Sequence, residues 1–289
     1  MQRYREGTPL PSLFFFAIIF GESMILFLTS FRKGILMHHF RLQTIGMTFF
    51  ILIMTMNAGF TEPENTERRY PQAEIPSFWK STIADVNDTL AAVKRGQTQI
   101  IDTSPGGHSI ALVAYGAKPS FHRQANYQSA TGARDPRYFA DKPEETPPTV
   151  FILGPVHGQE IENIVGTLNL IQVAETGKDF RGKEWPRLSE NIGKIRLIVV
   201  PLANPDGRLR CPYDSFVGIP AEEMTRVGQG TRKDGSLYGW PGAKAIHPMK
   251  GDVGFLGAYF NNDGINLMHD DFFAPMATIT QALMQIARE

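Results

Sequence analysis

Apolar residues are unevenly spread along this chain, and their spacing changes character from one region to the next. Near the N-terminus they form long runs, Leu13–Phe20 continuing through Met24–Phe31, and then Ile45–Phe60. From Ser77 to Arg95 they recur at helical spacing, and Phe78, Ile83, Val86, Leu90, Ala91 and Val93 make one stripe, which predicts a helix. Thr98–Asp102 and Ser109–Tyr115 read as strands joined by the turn signal Pro105-Gly106-Gly107. Thr149–Gly154 and Ile195–Pro201 are apolar without alternation, the pattern of strands covered on both faces. Between them, Ile161, Ile164, Val165, Leu168 and Ile171 mark the buried face of a helix from about Glu160 to Glu175. A last helix is predicted over Met276–Arg288.

Strand, helix, strand in that order predicts a βαβ unit. The expected class is α/β, with a mixed, largely parallel central sheet flanked by helices. Residues 61–76 are polar and Pro-rich and read as a linker, and residues 77–289 as the domain that carries the sheet. Residues 116–147, rich in Pro, Arg, Asp and Gln, are expected to form a long surface insertion. The Gly-rich stretch 208–262 predicts irregular loops over the sheet edge.

Residues 1–60 read as a signal peptide or as membrane segments. Ile45–Phe60 follows His38, His39 and Arg41 and ends in Asn57-Ala58-Gly59, the order of parts in a secretory signal. Met37 is a natural start for it, which makes residues 1–36 an upstream extension or the first arm of a membrane hairpin. Glu22 interrupts the first apolar run, and a carboxylate near mid-bilayer is costly. The expectation is export with cleavage near Ala58–Phe60, to a periplasmic or extracellular location, with a retained membrane anchor as the alternative. Membrane contact is then confined to this segment.

Composition narrows the classes further. Hydrophobic residues are 42% and charged residues 20%, an ordinary globular balance. Lys plus Arg and Asp plus Glu both number 29, so no basic surplus points to nucleic acid. Cys211 is the single cysteine, which excludes an intrachain disulfide and a cysteine-built zinc site. Nothing around it activates it, so a bland, partly buried thiol is expected.

The chemistry concentrates in GPVHGQE, just after the first buried strand. His157 and Glu160 lie three apart on a tight turn, so an imidazole and a carboxylate can reach one cation, and zinc accepts both. Strand ends of open α/β sheets are where ligands usually sit. On these two residues alone, a helix start with Glu160 near its positive end fits as well. After the second buried strand comes Asn204-Pro205-Asp206-Gly207, which by itself is a strong turn sequence.

Taken together, strand, G-x-x-H-G-x-E, helix, strand and P-x-x-N-P-D-G resemble the zinc metallocarboxypeptidase family. The resemblance covers roughly residues 98–289 and implies zinc held by His157 and Glu160, with a peptide or acylated amino acid as substrate. A third segment, Gly264-Ile265-Asn266-Leu267-Met268-His269-Asp270-Asp271-Phe272, resembles the one in which that family places an Asn-Arg pair for the substrate's terminal carboxylate. Here Met268 and His269 stand in those places. Methionine makes no useful hydrogen bond to a carboxylate, and histidine serves only when protonated. The resemblance further implies an arginine that polarises the scissile carbonyl; Arg232 fits best by placement, with Arg208 and Arg210 as alternatives.

The same resemblance implies a third zinc ligand, a histidine, and a glutamate general base, both beyond the segments just quoted. The domain is therefore expected to be incomplete, with an exposed sheet edge and uncovered apolar surface. His108, His122, His247 and His269 are the other histidines available as a substitute ligand, and His247 suits that role best. A catalytically silent protein of the same fold, an amidase or deacylase, and a membrane-anchored interaction protein remain alternatives to a peptidase.

Overall fold

The computed structural model describes residues 67–119, 134, 146–271 and 273–288, and the backbone of two short strands before them. Those strands, β1 (Phe15–Phe20) and β2 (Ser23–Leu28), pair antiparallel within a unit spanning Met1–Glu62, and Pro63–Glu289 form a second unit. The proposed signal core Ile45–Phe60 and most of the 116–147 insertion lie outside the described residues. Among the described residues no helix is long and apolar enough to cross a membrane.

In the second unit, residues 67–76 form no helix or strand, yet they are tied down. The Tyr213 hydroxyl accepts from the amides of Arg69 and Tyr70, and Arg68 pairs with Asp214 at 3.1 Å. Helix α1 (Ile83–Ala91) starts later than the apolar stripe suggests. Thr82 and Asp85 form a reciprocal capping box, each side chain bonding the other's amide, and that fixes the first turn.

The hairpin β3 (Gln97–Thr103) and β4 (Ser109–Tyr115) turns through the expected Pro-Gly-Gly, with Gly107 at positive φ. β5 (Thr149–Leu153), α2 (Ile161–Thr176), α3 (Pro186–Ile192) and β6 (Arg196–Val200) follow. Helix α2 stops where Gly177 adopts the left-handed conformation. The four strands lie in the order β3-β4-β6-β5. The sheet is mixed. Its parallel part among the described strands is β5–β6, the pair that α2 connects, while β3–β4 and β4–β6 run antiparallel.

Both faces are covered. Val113, Leu197 and Val199 point to one side, where Ile164, Leu168 and Ile171 of α2 and Val86 of α1 pack on them. Leu112, Ile198 and Val200 point to the other, against Ile279 of the last helix and Ile265 and Leu267 of the preceding loop. The unbroken apolar run of β6 is thus explained by burial on two faces, whereas β5, expected to be covered in the same way, is an edge strand of the described sheet with no fully buried residue. Val150 and Leu153 are exposed there.

The Gly-rich stretch is less irregular than its composition implies. It holds α4 (Pro205–Arg210), α5 (Ala221–Gln229) and a short ladder between β7 (Gly230–Thr231) and β8 (Phe255–Leu256). Helix α5 escapes a hydrophobicity reading because its buried residues include Glu223 and Arg226, paired at 2.6 Å, and Gln229, with Val227 as the one buried aliphatic side chain. The chain continues into α6 (Thr278–Arg288).

Candidate metal centre

The two turn motifs that the sequence offers separately are packed backbone to backbone. Asn204 caps α4 by accepting from the Gly207 amide at 2.9 Å, and its Nδ2 donates to the Val156 carbonyl at 3.1 Å. The Ala203 amide reaches the Pro155 carbonyl, and the Gly158 amide reaches that of Ala258 at 2.7 Å. A Cβ on Gly158 would lie 2.0 Å from the Gly207 carbonyl carbon, so the two turns approach this closely because Gly158 lacks one, and a Cβ on Gly207 would in turn strike the Ala258 carbonyl at 2.3 Å. Asp206 completes the lock. Its buried carboxylate accepts from Ser104 Oγ at 2.5 Å and from the amides of Gly106 and Asn262. NPDG therefore ties the β3–β4 turn, the HGQE loop and the 258–262 loop into one unit.

His157 projects from that unit and is buried, stacked on Tyr259 with ring centroids 4.1 Å apart. Its Nε2 lies 3.0 Å from Asn266 Oδ1. That oxygen also accepts from the Met268 amide, which settles which end of the Asn266 amide faces His157. An acceptor there requires a proton on Nε2. In the neutral ring, Nδ1 then carries the lone pair, and Nδ1 lies 2.9 Å from Glu160 Oε1. Two lone-pair atoms at that distance need a proton or a cation between them. A proton on Nδ1 makes this an imidazolium–carboxylate ion pair; a divalent cation is the other group that His157 Nδ1 and Glu160 Oε1 could share, with Asn266 orienting the ring from behind.

The surroundings divide into groups already engaged and groups still open. His247 accepts the Asn266 amide on Nε2 at 2.9 Å, so that lone pair is spent on the backbone. Burial lowers its pKa, with Asp270 pulling the other way. His269 stacks against Trp240 at 5.8 Å, and its pKa is lowered by burial, then by Lys244, His157 and His247. At neutral pH it is therefore a neutral ring. Arg232 lies over Tyr238 and donates to the Leu237 carbonyl of its own turn; among the described residues no hydrogen bond joins it to His157 or Glu160. Arg208 is buried and bonds Ser81, Cys211 and Asp214, while Arg210 is buried against Asn262 and Phe260. Burial pulls the Arg210 guanidinium down to about 10. These two arginines hold the loops together. Cys211 is fully buried, its thiol pushed up to about 11 by burial, as an inert packing residue should be. His108 sits on the hairpin turn, where its carbonyl accepts the Ser104 amide, and His122 lies outside the described residues. Among the described residues no group of three His, Cys, Asp or Glu side chains is placed to hold a metal.

No family model matches the chain, and no curated protein shows significant similarity to it. Solved structures resemble it in part. One is a metallo-carboxypeptidase from Burkholderia cenocepacia, 16% identical, aligned over 44% of this chain and 27% of that one with a TM-score of 0.30. Another is the carboxypeptidase A from Helicoverpa armigera, 14% identical over 61% of this chain and 34% of that one, also with a TM-score of 0.30. The chain spans between a quarter and about a third of the length of these structures. The likeness concerns architecture, and the chemistry rests on the residues above.

Two contributors escaped the sequence. Asn266 stands inside the GINLMHDDF segment, but its role depends on a loop folding back over 109 residues to meet His157. Tyr259, which stacks on His157, lies in the segment Gly257–Phe260, and no motif there distinguishes it from other aromatic residues.

Proposed function

We propose that His157 and Glu160 are two ligands of a zinc site, and that the chain belongs to a hydrolase that cleaves a peptide or amide bond near a chain end. The observation that carries this reading is the facing of His157 Nδ1 and Glu160 Oε1 at 2.9 Å while Nε2 is committed to Asn266. Zinc held there supplies a Lewis acid for the substrate carbonyl and lowers the pKa of a bound water. The chain's own residues do the rest of what is described. Asn266 selects the tautomer, Tyr259 excludes water from one face of the imidazole, and the NPDG lock holds the loop still.

Substrates are peptides or acylated amino acids, and the resemblance to metallocarboxypeptidases supports that class. Turnover needs a general base and a third ligand, and among the described residues no third ligand joins the pair. Ligand binding without turnover is the second reading, and the two-donor set favours it.

Metal analysis of the purified full chain tests the first reading. Zinc near one equivalent, lost on His157→Ala with circular dichroism unchanged, is the expected result. Folded protein that takes up no zinc from a zinc-containing buffer overturns it. Hydrolysis of acylated peptides by the zinc-loaded chain then separates an enzyme from a binding protein.

A further inference from the structure

A cavity of about 600 Å³ lies between α6 and the strands β3, β4 and β6. Its floor is apolar, with Leu112 and Ala114 from β4 and Ile198 from β6, and α6 adds Ala282 and Ile286. Ile100 of β3 stands at its rim and is 63% exposed. The cavity is remote from the metal pair. Strands β5 and β6 run parallel with Thr149 opposite Arg196, and His157 follows the far end of β5. Arg196, which lines the cavity at the start of β6, is therefore a strand's length away. Its Nε is shut off from solvent without an acceptor, and its guanidinium makes no hydrogen bond or ion pair with any described residue. A donor left in that state is costly, and most such groups in folded proteins find a partner. Among the described residues the charged side chains lining the cavity are Arg196 and Lys118, and no carboxylate does.

We infer that this cavity binds an aliphatic carboxylate of medium length, its head on the Arg196 guanidinium and its tail along Leu112, Ala114 and Ile198. The site is separate from the metal pair and needs no zinc. Charge complementarity selects the head. A guanidinium presents Nε–H and one Nη–H as a parallel fork that matches the two oxygens of a carboxylate. The Arg196 fork holds no bond in the fold, so turning it toward the cavity on its flexible stem breaks none. One fork balances one negative charge, which suits a carboxylate. The floor selects the tail. Its volume lies in the range of small-molecule sites, which are lined mostly by apolar side chains with a few polar groups. An aliphatic chain covers Ile198 and Leu112 as α6 does further along the same face.

Calorimetry on the full chain with octanoate, and with octan-1-ol as its uncharged counterpart, tests this. The wild type should bind one equivalent of octanoate and prefer it by about tenfold, the range of a charge-assisted hydrogen bond. Hexanoate, two methylenes shorter, should bind about tenfold more weakly than octanoate. Arg196→Gln should erase the preference while leaving octanol affinity within about twofold. It removes a charge that nothing in the fold pairs, so folding is kept, and thermal unfolding checks this. Ala282→Trp, which fills the cavity from α6, should abolish binding of both compounds. Arg187→Gln, an exposed control on α3, should change neither. EDTA should also leave octanoate binding unchanged. A wild type that binds neither compound or shows no preference overturns the assignment, as does an Arg196→Gln variant that keeps the preference. Octanoate binding that EDTA removes would put the carboxylate on a metal, overturning the cavity assignment and supporting the metal reading. Binding that survives EDTA and depends on Arg196 sustains the cavity whether or not the chain takes up zinc.

Discussion

His157 and Lys244 stand on neighbouring loops, yet the structure treats them oppositely. Around His157 every backbone approach is fixed. Gly158 meets Gly207, Asn204 holds Val156, and Asp206 gathers two other segments, the 104–106 turn and Asn262, onto one carboxylate. Around Lys244 the side chains are exposed, and the contacts are ring stacks rather than buried hydrogen bonds. The contrast shows where this chain commits its folding energy. The His157 turn is overdetermined by packing, while the Lys244 turn is left open to solvent.

Substitutions at the two loops should separate these regimes. The largest effect is expected at Gly158→Ala, whose Cβ would enter backbone rather than a flexible side chain. It should cost more than about 3 kcal/mol in denaturant unfolding, whereas Trp240→Ala should cost less than about 1 kcal/mol. Equal losses at the two would erase the contrast. Asn204→Ala removes a helix cap and a buried bond to the Val156 carbonyl, and a loss of roughly 1–3 kcal/mol should appear in the same measurement.

Asn266→Ala should act on geometry more than on stability. It frees the His157 ring to adopt the other tautomer, and zinc affinity should fall about 10- to 100-fold. Nitrogen chemical shifts of the His157 imidazole report the tautomer directly, with or without metal. An unchanged tautomer in that variant would show that Asn266 does not orient the ring.

Asp270 gives a pH-dependent test of the loop between the two regions. Burial pushes its carboxyl up, but hydrogen bonds from the amides of Met276, Ala277 and Asp271 outweigh that, and the net pKa is lowered. A depressed folded pKa means a contribution to stability that is complete above the unfolded value, about 4, and is lost as pH falls through the folded one. Wild type should lose stability on acidification below about pH 4 more steeply than Asp270→Asn. Parallel acid profiles would refute this. The smallest effect is expected at Val150→Lys on the outer edge of β5, where a charge should slow aggregation on heating with little change in unfolding midpoint.

Much of this was legible in the chain. The run RLIVV announced a strand buried on both faces, because such burial leaves no polar alternation to read, and the helix before it announced the crossover; TVFIL carries the same signal yet forms the edge strand, with Val150 and Leu153 exposed. His157 and Glu160 stood out because an imidazole and a carboxylate three apart on a turn can meet, and they do so at 2.9 Å. Helix α5 was not legible, since beside Val227 it buries an ion pair that hydropathy reads as surface. Nor was the division among arginines. Arg208 and Arg210 look like Arg232 in sequence, and burial alone shows that the first two serve the loops.

By itself, then, the sequence determined the strand–helix–strand frame and the two side chains that face one another at its end, because both follow from local spacing. Which nitrogen of His157 meets Glu160 was decided by tertiary structure. It depends on Asn266 arriving from 109 residues away and on the Met268 amide fixing that side chain's orientation. The same holds for Lys244, whose place beside the half-site follows from Trp240 stacking on His269 rather than from any motif around it. Local periodicity encodes which faces are buried, and only the folded chain sets which atoms meet.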